Sequence, residues 1–295
     1  EPVYSRGGGD SLWCDWYFRE FVNGKSMEYA YVQTGQENSF TWKRMSKGFH
    51  IQMPLIARLR DEGKVRVETL GETGKWFIGK YRVTPPTSVT VMSDHSGKDL
   101  KTVWFNSRYY RANLLWEKGN LRFRDVHVFN EDFKSDYLTQ PGRSSKCDYY
   151  TLPVVDGFSW SSDSIVAGMR FKAVSDNNII DLKGGHPVVS DSIKGQLEVK
   201  WPLINSNGCL IAKFDERKIY LEVEGDRKTE WFLELSFDSS KENPVADVGK
   251  ENLKYSFKNF NYSISLDSGS FIKESESCIK INPKGNSIIF NLSQK

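Results

Sequence analysis

The chain has 295 residues, 38% of them hydrophobic and 27% charged, which describes a globular protein long enough for two domains with a sizeable core. Its net charge is only +3, with 13 basic and 10 acidic residues in positions 1–90 and 28 of each thereafter, so no basic stripe marks nucleic acid as a partner. No run of about 18 apolar residues occurs, so no transmembrane helix is expected.

In chain order, a glycine-rich loop at Gly7–Asp10 precedes Ser11–Val22, whose aromatic residues recur at helical spacing, with Asp10 or Ser11 as the cap. Met27–Gln33 (MEYAYVQ) then reads as a strand. The spacing of Phe49, Met53, Ile56 and Leu59 predicts a helix over Thr41–Arg60, kinked or split near His50–Gln52 by Pro54 and closed by Gly63. Lys64–Leu70 (KVRVETL) reads as a second strand, and Lys75–Tyr81 as a short helix. A β–α–β unit of this kind needs neighbouring strands and covering helices, so residues 1–86 read as the terminal portion of an α/β barrel.

Thr84-Pro85-Pro86-Thr87 marks the boundary. Beyond it, twelve short runs of β-branched and aromatic residues alternate with turn signals, from Ser88–Met92 to Ser287–Leu292. Residues 87–295 are therefore expected to form a large antiparallel β-sandwich, making an α+β two-part chain. The start at Glu1-Pro2-Val3 lacks an initiator Met and a signal-peptide pattern, which reads as a processed or truncated chain.

Candidate chemistry follows from the expected strand ends, where α/β barrels carry their sites. Gln33, Gln36, Glu37 and Trp42 follow the first strand, and Glu68 and Glu72 end the second. Glu37 and Glu68 are the acid/base candidates across a glycosidic bond, Gln33, Gln36 and Glu72 suit sugar hydroxyls, and Trp42 offers a platform for a sugar face. The competing reading of these carboxylates is helix capping and solvated surface. In the β part, Trp104, Tyr109, Tyr110 and Trp116, with neighbouring arginines, describe either a glycan-binding face or a sheet face covered by Arg stems. Cys14, Cys147, Cys209 and Cys278 are scattered, as are His50, His95, His127 and His186, so neither a metal site nor any other cofactor is expected. His127 beside Asp125 reads as a cross-strand pair. There is no GxSxG elbow, P-loop or dinucleotide fingerprint.

At residues 34–90 the chain resembles the closing segment of bacterial polysaccharide-processing barrels of the polysaccharide-deacetylase-like and related glycoside-hydrolase types. Gly35-Gln-Glu-Asn-Ser-Phe-Thr-Trp42, the helix end Pro54–Gly63 and Lys64–Phe77 carry the resemblance. The β part is similar in length to the supersandwiches of many carbohydrate-active enzymes. The resemblance implies a secreted, periplasmic or cell-surface bacterial protein acting on a poly- or oligosaccharide, with part of its barrel supplied from outside these residues. The Asp/His metal motif of the deacetylases has no match here, so hydrolysis is the expected chemistry, and a non-catalytic glycan-binding module the alternative.

Overall fold

The computed structural model describes residues 3–5, 7–35, 40–145, 150–175, 178–204, 208–225 and 230–294. Three helices come first: α1 Ser11–Asn23, α2 Trp42–Asp61 and α3 Leu70–Lys80. The strands follow as β1 Thr87–Val91, β2 Lys101–Asn106, β3 Tyr110–Glu117, β4 Asn120–Val128, β5 Leu152–Asp156, β6 Gly168–Ser175, β7 Asn178–Asp181, β8 Val188–Ser190 and β9 Leu197–Pro202. They continue as β10 Cys209–Phe214, β11 Lys218–Glu224, β12 Glu230–Ser236, β13 Val245–Val248, β14 Asn252–Phe257, β15 Phe260–Ser268, β16 Ser270–Ser275, β17 Cys278–Asn282 and β18 Ser287–Asn291.

These strands build two antiparallel sheets. One runs β1-β2-β3-β4-β6-β12-β17-β16, with β5 on β4 and β7 on β6; the other runs β13-β14-β15-β18-β11-β10-β9-β8. Alternation of buried and exposed residues along each strand turns one face of each sheet inward. The two inner faces meet in one core. Phe105 and Phe123 of the larger sheet approach Phe214 of the smaller at 5.6 and 6.3 Å between ring centroids. The Tyr110 hydroxyl lies 2.8 Å from the carbonyls of both Asp215 and Lys218 across the gap. Burying each such ring contributes roughly 1.5–3 kcal/mol. The turns are chemically specified: Lys118 and Gly119 both take positive φ (52° and 75°), as the mirror-image turn of a tight hairpin requires.

The antiparallel sandwich matches the sequence expectation, and each of the twelve predicted strand runs overlaps a strand. The first part differs. Met27–Gln33 and Lys64–Leu70 are extended but form no strand among the described residues; Met27 makes a single bridge to Thr87. Strand propensity alone does not make a strand without a neighbour to complete its ladder. Helix α3 begins five residues earlier than Lys75, because Thr69 and Glu72 form a capping box. Helix α2 runs unbroken through Pro54. It ends as expected: Gly63 has φ 70°, with the Gly63 N–H donating to Arg60 and the Lys64 N–H to Leu59, a paired closure of the last turn.

Helix α1 fastens the helical part to the sandwich. The Asp10 carboxylate caps it by accepting from the N–H groups of Leu12 and Trp13. Glu20 accepts from the Met92 N–H at 3.0 Å and from the Ser93 hydroxyl, and the Trp16 indole donates to the Ser93 carbonyl at 2.9 Å. Gly24 is required where the chain leaves the helix, since a Cβ there would sit 2.6 Å from the Glu20 carbonyl and 2.8 Å from that of Thr90. Between α1 and α2 lies a small second core of Cys14, Phe18, Leu55 and Leu59.

Candidate functional site: a cavity beside the helices

The extended segments 28–34 and 63–68, with the inner sides of the three helices, enclose an open cavity of about 820 Å³. Phe18, Phe21, Val22 and Ile56 give it an apolar wall, and Trp76 and Phe77 come from α3. Tyr29 anchors the arrangement, its ring edge-on to Trp76 and Phe77 at 5.8 Å from each. Burial pushes the Tyr29 hydroxyl up, and Tyr81 adds to the shift.

Glu68 lines this cavity. Its carboxylate is held from two sides, by Arg66 at 3.4 Å and by the Thr73 hydroxyl at 3.1 Å. The Arg66 guanidinium also lies over the Trp76 ring, 4.8 Å from its centroid, so carboxylate, cation and ring are locked together. Glu28 is a second carboxylate in the lining and accepts from the Tyr81 hydroxyl at 3.4 Å. Sequence reasoning missed Glu28 and Trp76 as site residues, because the contacts that bring them in are made by Tyr81, Arg66 and Tyr29 rather than by any motif.

The other sequence candidates are placed as follows. Gln36 and Glu37 lie outside the described residues, as do Cys147 and the Asp148-Tyr149 pair. Gln33 is exposed and not part of the lining. Trp42 opens α2, is 61% exposed and stacks on Phe49 at 5.9 Å, outside the lining. Glu72 caps α3: hydrogen bonds from the Thr69 N–H and hydroxyl hold its carboxyl below the usual range.

The four aromatic residues of the β part do not share an exposed face. Tyr110 and Trp116 are buried in the core, at 0% and 3% exposure. The Trp116 indole N–H is buried without an acceptor among the described residues. The alternation of β3 sends Tyr110 and Trp116 inward, which the aromatic cluster in the sequence concealed. Trp104 and Tyr109 are half-buried and engaged by arginines: Arg111 lies 5.9 Å from the Trp104 ring, and Arg108 and Arg217 lie 4.8 and 4.6 Å from that of Tyr109.

On β4, His127 is buried and shares a 2.7 Å hydrogen bond between Nδ1 and the Thr151 hydroxyl. Its Nε2 is 3.9 Å from Asp156, beyond hydrogen-bond length. Burial first, then Arg111, brings its pKa down to about 4, against the opposing pull of Asp156. A base so weak and so enclosed suits a structural network. The described residues contain no group of three or more potential metal ligands. Cys14, Cys209 and Cys278 are free thiols, each pushed up by burial.

No family model, curated protein or solved structure matches this chain. The functional reading therefore rests on the cavity itself.

Proposed function

We propose that the chain is a carbohydrate-active protein that engages a poly- or oligosaccharide at the cavity beside the helices. The observation that supports this is the fixed cluster of Glu68, Arg66, Thr73 and Trp76 on the wall of an open, largely aromatic cavity of about 820 Å³. Such a volume suits a ligand of a few sugar rings, and a pinned carboxylate beside a cation offers acceptors and donors to sugar hydroxyls.

Two activities are compatible with that site. Binding alone needs only the cavity. Hydrolysis needs a second carboxylate at roughly 5–10 Å from Glu68, a place that sequence reasoning gives to Glu37. Binding is the reading favoured here, since Glu68 is tied on both sides by Arg66 and Thr73. With it goes the finer reading of residues 1–86 as the terminal portion of an α/β barrel, supported by the order of α2, extended segment and α3, and the expectation of an exported bacterial protein.

The test is calorimetric titration with a panel of neutral and acidic oligosaccharides, paired with an assay for new reducing ends. Saccharide binding that Glu68→Gln and Trp76→Ala each weaken at least tenfold supports the proposal. Cleavage abolished by Glu68→Gln moves the assignment to a hydrolase. No binding and no cleavage by the folded wild type across the panel overturns it.

A further inference from the structure

Residues 28–34 and 66–68 carry strand-type sequence, yet among the described residues none of their backbone N–H or C=O groups makes a hydrogen bond. Both stretches border the same cavity. Rows of unpaired main-chain donors and acceptors beside an apolar surface are a template for another strand. The surface is indeed apolar: Tyr31, Val67, Leu70 and Ile78 line the cavity while remaining 51%, 58%, 63% and 78% exposed. Helix α3 buries none of its residues, although it carries Trp76, Phe77 and Ile78. Exposed apolar area gathered in one place marks an interaction site.

The geometry points to an extended polypeptide partner that enters this cavity and adds as a β-strand alongside residues 28–34, covering residues 64–68 and α3. Two carboxylates, Glu28 and Glu68, and two cations, Lys64 and Arg66, balance in the lining, which suits an uncharged segment over a polyanion. Seven residues of edge span about 23 Å at about 3.3 Å per residue, enough for a partner strand of five to seven residues. Main-chain hydrogen bonds would supply affinity, and alternate apolar side chains would fill the wall left open by Tyr31, Val67 and Ile78. This deepens the barrel reading of residues 1–86, on which it rests. The saccharide cluster at Glu68 would then sit at the edge of a completed sheet.

The test uses the full chain, isotopically labelled, with a capped peptide of alternating Val and Thr flanked by Lys, and the same peptide N-methylated at alternate residues. Amide exchange at 28–34 and 66–68 is expected to slow at least tenfold with the first peptide and to stay unchanged with the second. No protection, or equal protection by the N-methylated peptide, overturns strand addition. So does protection that rises with protein concentration in the absence of peptide, which would make a second copy the occupant. Oligosaccharide titrated in the same spectra reads the sugar site separately, through the Glu68 and Trp76 side-chain signals. Failure of that titration leaves the strand result standing, and failure of the peptide leaves the sugar result standing.

Discussion

Tyr255 and Tyr262 stack face to face on neighbouring strands, their centroids 4.9 Å apart and their planes 9° from parallel. Both hydroxyls point across the sandwich to β5, where Tyr255 donates to the Val154 carbonyl at 3.3 Å and Tyr262 to the Pro153 carbonyl at 2.5 Å. Burial pushes both hydroxyls well up, so the donors persist through the accessible pH range. The pair is thus a polar rivet within an apolar core. Tyr262→Phe and Tyr255→Phe are each expected to cost about 1–2 kcal/mol in denaturant unfolding, because each leaves a buried carbonyl without its donor. A double-mutant cycle should show coupling above about 0.5 kcal/mol. Strict additivity would show that the two bonds form independently of the stack.

Gly184 lies against the indole of Trp201, whose N–H donates to the Gly185 carbonyl at 3.1 Å. A Cβ at Gly184 would overlap the Trp201 ring and come within 2.6 Å of the Pro202 carbonyl. Trp201 is fully buried and cannot move aside. Gly184→Ala should therefore destabilise the protein by about 1–3 kcal/mol, whereas Gly185→Ala, with open space around it, should not. Equal melting temperatures for the two variants would remove the packing argument.

How much of this was legible before the structure differs between the two parts. The sandwich was written plainly, because strands such as Lys218–Glu224 alternate buried and exposed residues and so carry their own burial pattern. Short strands such as Val188–Ser190 and Val245–Val248 lack that alternation and escaped notice. In the first part, Met27–Gln33 and Val65–Thr69 have strand chemistry but no described neighbour, so local propensity was read correctly and the ladder does not follow. The site suffered differently. Glu72 was legible equally as a cap or as a ligand residue, and the capping box is what it forms. Trp76 could be found only through Arg66 and Tyr29, which lie ten and 47 positions away.

His127 should make stability pH-dependent. Its folded pKa of about 4 lies below its unfolded value of about 6.5, so the unfolded chain binds the extra proton between those limits. The His127 contribution is complete above about pH 6.5, falls as pH drops through the window, and levels off below about 4. The full loss is about 2–4 kcal/mol. Arg111 and Asp156 face the ring, and Asp125, raised by its own burial, works in the opposite direction because a neutral carboxyl is preferred there. Comparing urea midpoints of wild type and His127→Asn between pH 4 and 7 isolates the histidine. A difference that does not vary with pH would refute this account.

Trp104 and Tyr109 offer a control on the saccharide proposal. Their rings are already occupied by Arg111, Arg108 and Arg217. Trp104→Ala and Tyr109→Ala should change oligosaccharide affinity less than twofold. A tenfold loss in either would transfer the sugar site from the cavity to the sheet.

The fastening of α1 to the sandwich through Glu20, Trp16 and Lys25 has a thermal consequence. The large core spans both sheets, while the helical part has only four fully enclosed side chains of its own. Two units so unequal in buried area should not melt as one. On heating, α2 and α3 are expected to lose helical signal first, with the sandwich and α1 retained, giving two calorimetric transitions. A strand added beside residues 28–34 would merge them into one, so cooperativity itself becomes a reporter of whether the cavity is filled.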